Sequence, residues 1–119
     1  MKKLSPGVFQ VVDQETVSID VKATGTLSLV RGNSNADGEI PVTAGQPITI
    51  KMDKSKAPGG SFIPNARSTD VTLGFTFSND SGGRYDLTLT GSSGGGGFTD
   101  FVEQAGTTLE ATTYTFHIV

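Results

Sequence analysis

The chain of 119 residues contains no cysteine, no tryptophan and a single histidine. Without thiols there are no disulfides and no thiolate metal sites, and cysteine usage leaves the redox compartment open. One histidine is too few for a zinc or iron centre built from clustered His, Cys and carboxylate ligands. It also leaves little for general acid–base or nucleophilic chemistry, so the composition argues against an enzyme. Basic charge is scarce: nine Lys and Arg stand against twelve Asp and Glu, for a net charge of −3. The one local cluster, Lys51, Lys54 and Lys56, reads as a solvated face rather than a phosphate-binding patch. Nucleic acid is therefore not an expected partner, because its affinity comes from many phosphate neutralisations. No apolar run is long enough to span a bilayer, and membrane insertion is not expected. Met1-Lys2-Lys3-Leu4-Ser5 starts like the basic region of a secretory signal, but Pro6 and Gly7 interrupt it and no apolar segment follows. The composition is compatible with a secreted or surface-exposed protein and does not fix a compartment.

What remains is rich in Gly, Ser and Thr, with hydrophobic residues at 34% and charged residues at 18%. That balance favours strands and turns over helices. Val17, Ile19, Val21 and Ala23 alternate with polar residues, as do Ile48, Ile50 and Met52. The strongest strand signals are Val71, Leu73, Phe75 and Phe77, followed by Tyr85, Leu87 and Leu89. Asn79-Asp80-Ser81-Gly82-Gly83 between them suits the turn of a hairpin. Tyr114, Phe116 and Ile118 form the last row, which leaves His117 facing outward beside Thr113 and Thr115. Pro41 cannot donate to a ladder, so the segment around Ile40 is expected at an edge. Residues 53–65 read as a long loop that Phe62 and Ile63 pin to the body. Strands recurring about every ten residues predict one all-β domain over residues 1–119: an antiparallel β-sandwich, jelly-roll or immunoglobulin-like, of seven to nine strands.

Few motifs carry chemistry. Asn33, Asn35, Asp37 and Glu39 around Gly38 resemble the opening of a calcium loop, with oxygen side chains at alternate positions and a glycine for the sharp turn. Asn33 stands where Asp is usual, Ala44 where a bidentate Glu belongs, and a polar hairpin turn accounts for the same residues. Ca²⁺ is the one cofactor this pattern suggests. Gly91-Ser92-Ser93-Gly94-Gly95 spells a nucleophile elbow, but poly-Gly is a poor helix start and the acid–histidine context is missing. A surface loop explains it better. Asn79-Asp80-Ser81 is a formal glycosylation acceptor in a turn. Paired carboxylates such as Asp100 with Glu103, or Asp13 with Glu15, read as surface charge.

These observations predict a non-enzymatic binding module for a carbohydrate or another cell-surface ligand. Loops carrying Asn79, Asp80, Gly95, Phe98, Asp100 and Phe101 at one end would form the site, with Phe98 and Phe101 either as a binding lip or closing the end of the stack. The alternative is a structural subunit of a virion, filament or shell. It would form a homo-oligomer through the terminal strand, residues 112–119, as a free edge.

Overall fold

The computed structural model describes residues 1–24, 28–43, 45–57, 69–78, 83–94, 97–104 and 110–119. Among them lie ten strands and no helix: β1 (Lys2–Ser5), β2 (Val8–Val11), β3 (Glu15–Thr24), β4 (Ser28–Ser34), β5 (Gly38–Ile40), β6 (Ile48–Met52), β7 (Thr69–Ser78), β8 (Gly83–Gly91), β9 (Gly97–Gln104) and β10 (Glu110–Ile118). They form a six-stranded sheet in the order β1-β2-β10-β7-β4-β5 and a four-stranded sheet in the order β6-β3-β8-β9. The all-β expectation holds, with more strands than the seven to nine expected. Pro6 and Gly7, which interrupt the basic start of the chain, form the turn between β1 and β2, and Gly7 takes φ 73° there. Proline presets the first turn position, and glycine takes the positive φ of the second at no steric cost.

The alternating rows meet between the sheets. Val17, Ile19 and Val21 of β3, Leu73, Phe75 and Phe77 of β7, Tyr85, Leu87 and Leu89 of β8, and Tyr114, Phe116 and Ile118 of β10 are all buried. Each fully buried side chain of this size contributes about 1.5–3 kcal/mol. Burial of Tyr85 pushes its phenol above the usual range, as expected where charge would lose water.

Three expectations are corrected. First, β7 and β8 do not form a hairpin. They lie in opposite sheets, and the rings of Phe77 and Tyr85 meet across the core with centroids 4.2 Å apart. Two alternating strands joined by a short turn can pair edge to edge or stack face to face. Here each strand finds other ladder partners, β8 on β3 and β9, β7 on β10 and β4. Second, the sheets are not wholly antiparallel, since β2 runs parallel to β10. Third, the terminal strand is not an edge. β10 is paired along both sides, by β2 and by β7, so its main-chain groups are not open to a partner chain. The segment ending at Pro41 is an edge as expected: β5 pairs only with β4 among the described residues.

Candidate functional site

The two sheets end differently on their two sides, and this difference leaves a cleft on one of them. On one side β1, β2 and β9 close the stack. Phe9 of β2 lies against Phe98 of β9 with centroids 5.3 Å apart, and stacks on Phe116 at 5.5 Å. Beside these rings the recess is about 70 Å³, and a shallower one of about 250 Å³ lies by Met1, Lys2, Gln10 and Ser93. On the other side β5 and β6, edges of different sheets, leave a cleft of about 290 Å³. Its floor is Ile40 of β5, Ile48 and Ile50 of β6, and Val71 of β7; its rim holds Asp37, Glu39, Lys51, Asp53 and Lys56. The three isoleucines keep 7–9% of their surface exposed, whereas Ile19 and Ile118 deeper in the core keep none. β5 is three residues long and gives way at Pro41, so it cannot cover the β6 row.

The rim is charged on both lips. Among the described residues Asp37, Glu39, Lys51 and Lys56 form no ion pair. Asp53 is held by its own turn: its Oδ1 accepts from the Ser55 amide at 3.0 Å and the Ser55 hydroxyl at 2.6 Å. Those bonds, the hydroxyl first, lower its pKa. All three lysines of the 51–56 cluster are exposed, as a solvated face requires.

The expected site residues scatter. Asn33 sits on β4 opposite Glu39 of β5, and residues 35–37 make the turn between them. Asn35 is engaged elsewhere. Its Oδ1 accepts from the Thr72 amide at 2.9 Å and its Nδ2 donates to the Asp70 carbonyl at 3.4 Å, tying the turn to β7. Ser34 Oγ accepts from the amides of Ala36 and Asp37, which completes a hydroxyl-stabilised turn. Gly38 follows at φ 76°. Asp37 and Glu39 reach the cleft, and Asn33 and Asn35 do not line it. Among the described residues no group of three His, Asp or Glu side chains is placed to hold a metal.

At the other candidate loop, Asn79, Asp80 and Gly95 lie outside the described residues, as do Phe62 and Ile63. Phe98 is half-buried against Phe9 and helps close the stack. The β8–β9 register pairs Phe98 with Leu89, Asp100 with Leu87 and Phe101 with Asp86.

The Gly91-Ser92-Ser93 run has a packing reason. A Cβ at Gly91 would overlap the Glu15 carboxylate and the Met1 side chain. Glu15 is buried here, with the Met1 amino group 3.0 Å from its Oε2. The Ser93 amide donates to the same oxygen, and the Ser93 hydroxyl accepts from the Met1 amino group at 2.7 Å. Burial raises the Glu15 pKa, but hydrogen bonds from Ser93, the Val12 amide and the Met1 amino group outweigh it and hold the carboxyl below its ordinary value. Ser93 is thus committed to this cluster. His117, half-buried on the outer face of the six-stranded sheet as its row predicted, donates from Nδ1 to Asp70 across the β7–β10 register.

Sequence reasoning missed the cleft. Its isoleucines read as ordinary core rows and its lysines as solvent-facing, because nothing in the chain discloses that β5 and β6 border one another from opposite sheets. Pro41 was the available signal, marking the edge that stops short. No family model, curated protein or solved structure gives a significant match to this chain.

Proposed function

We propose that the protein is a non-enzymatic binding module and that the β5–β6 cleft is its site. The observation that carries this reading is the cleft itself: an aliphatic floor inside a rim on which Asp37, Glu39, Lys51 and Lys56 form no ion pair among the described residues. Apolar concavity with a few polar groups is the usual form of a ligand site. Ligand class follows from the lining. Aromatic rings, on which sugars stack, are absent among the described residues around the cleft. A peptide or another surface ligand with aliphatic side chains therefore suits it better than a glycan. For architecture, the order β10-β7-β4-β5 parallels the G-F-C-C′ order of an immunoglobulin-like sandwich and favours that type over a jelly roll. The β8–β9 hairpin, which comes between β7 and β10 in the chain, departs from that pattern.

Peptide and glycan arrays probed with labelled protein test the reading. A Thr49→Trp variant serves as the control, because Thr49 is exposed on the cleft lining and a bulky side chain there occludes it. Array binding that Thr49→Trp abolishes is the expected result. Binding indifferent to that substitution, or none on either array, contradicts it.

The assembly reading has one observation in its favour. β9 is eight residues long and pairs only with β8 among the described residues, which leaves an edge open to another copy. Mass measurement in solution distinguishes a closed oligomer from the monomer that a simple binding module predicts.

A further inference from the structure

We infer that the occupant of the cleft is an extended peptide strand that adds to the free edge of β6; this rests on the cleft being the binding site. β6 pairs with β3 over Glu15–Ile19 and, among the described residues, with nothing on its other side. Among the described residues its outer main-chain donors and acceptors along Ile48–Met52 meet no partner strand. β5 and the β6 edge also frame a gap of about 290 Å³. A strand laid beside β6 would become the fifth of the smaller sheet and fill that gap. Strand periodicity then directs every second side chain of the peptide onto Ile40, Ile48, Ile50 and Val71. Main-chain bonds supply affinity and the aliphatic floor supplies selectivity, the division of labour of strand addition.

The other edges suit this less well. β5 has three residues and is followed by Pro41. β1 is exposed along its whole length, carries Lys2 and Lys3, and has a register shift. Short strands, lysines and bulges are the devices that discourage edge pairing. β6 carries Lys51, but it is the longer of the two edges, β5 and β6, that border the aliphatic floor. Charge complements the choice of partner. The intervening side chains of an added strand fall on the exposed face of β6 beside Lys51, which forms no ion pair among the described residues, so the preferred peptide carries aliphatic side chains at alternate positions and glutamate between them.

The probe is an eight-residue capped peptide alternating valine with glutamate, together with two derivatives N-methylated at either all odd or all even positions. A strand added at an edge turns one set of amides to β6 and the other to water. Binding is followed by titration, and amide hydrogen exchange is read along β6. The parent peptide is expected to bind and slow exchange within Ile48–Met52. One methylated derivative is expected to lose more than about tenfold in affinity while the other keeps it, since several main-chain bonds are removed in only one. The variant Lys51→Glu, at an exposed position that leaves the core intact, is expected to weaken the parent by about tenfold. Equal binding by both derivatives, unchanged β6 exchange, or no binding of the parent at millimolar concentration overturns the strand-addition mode. If other ligands still bind and Thr49→Trp still abolishes them, the cleft reading survives that failure. If no ligand responds to Thr49→Trp, both readings fall.

Discussion

Where β9 meets β2, Phe9 fills the space between the sheets with its ring against Phe98, Phe116 and Tyr114. Where β5 faces β6, only aliphatic side chains meet, and a cleft remains. Both sides are built from the same period-two pattern, and both expose strand edges. Side-chain volume and strand length separate them: a large ring bridges the gap at β2, whereas β5 ends after three residues before any bulky group reaches across. One side is therefore spent on stability, and the other keeps apolar surface within reach of solvent.

The contrast can be broken most directly by truncation. Phe9→Ala is expected to cost about 4 kcal/mol, because a buried ring leaves a cavity that rigid neighbours cannot fill. Ile50→Ala, beside the cleft, is expected at the low end of its class, about 2 kcal/mol, since the site already borders open space. Urea denaturation of both variants measures the difference, and equal losses would remove the distinction. Gly91→Ala sharpens the account of the closed core. Its methyl group must displace the Glu15 carboxylate or the Met1 side chain, at an expected cost of about 2–3 kcal/mol in the same assay. A neutral outcome would mean the cluster yields easily. Asn35→Ala removes the tie between the β4–β5 turn and β7, with an expected loss of about 1 kcal/mol. Glu39→Lys, exposed on the rim, is expected to change stability by less than about 0.5 kcal/mol.

Acid tests the Glu15 cluster separately. The folded pKa lies below the unfolded one, so the contribution is fully present above the ordinary carboxylate value and is lost as pH falls through the depressed folded value. Melting temperature followed from neutral pH into that acidic range is expected to fall less steeply in Glu15→Gln than in the parent protein. Parallel curves would show that Glu15 does not carry the acid sensitivity.

The alternating rows disclosed the strands and their inward faces, from Val17 to Ile118, because burial imposes period two on each strand separately. Which strands pair was not legible. Phe77 and Tyr85 satisfy a hairpin and a face-to-face stack equally well from sequence, and nothing local tells β10 that β2 lies beside it in parallel. The cleft depends on that long-range arrangement, so its floor looked like any other core row. Pro41 was the exception, since its missing donor announced an edge whatever the fold around it. Asn35 illustrates the converse: its residue type fits a calcium loop, and only the neighbouring β7 reveals that its oxygen accepts from a main-chain amide.

The distinction between the sides is tested most directly by methyl-resolved NMR on protein labelled at the isoleucine δ1 positions, titrated with the valine–glutamate peptide. Signals of Ile40, Ile48 and Ile50 are predicted to shift together and saturably, while Ile19 and Ile118 stay in place. Shifts confined to Ile19 or Ile118, or spread evenly over all five, would contradict an open β5–β6 side as the seat of binding.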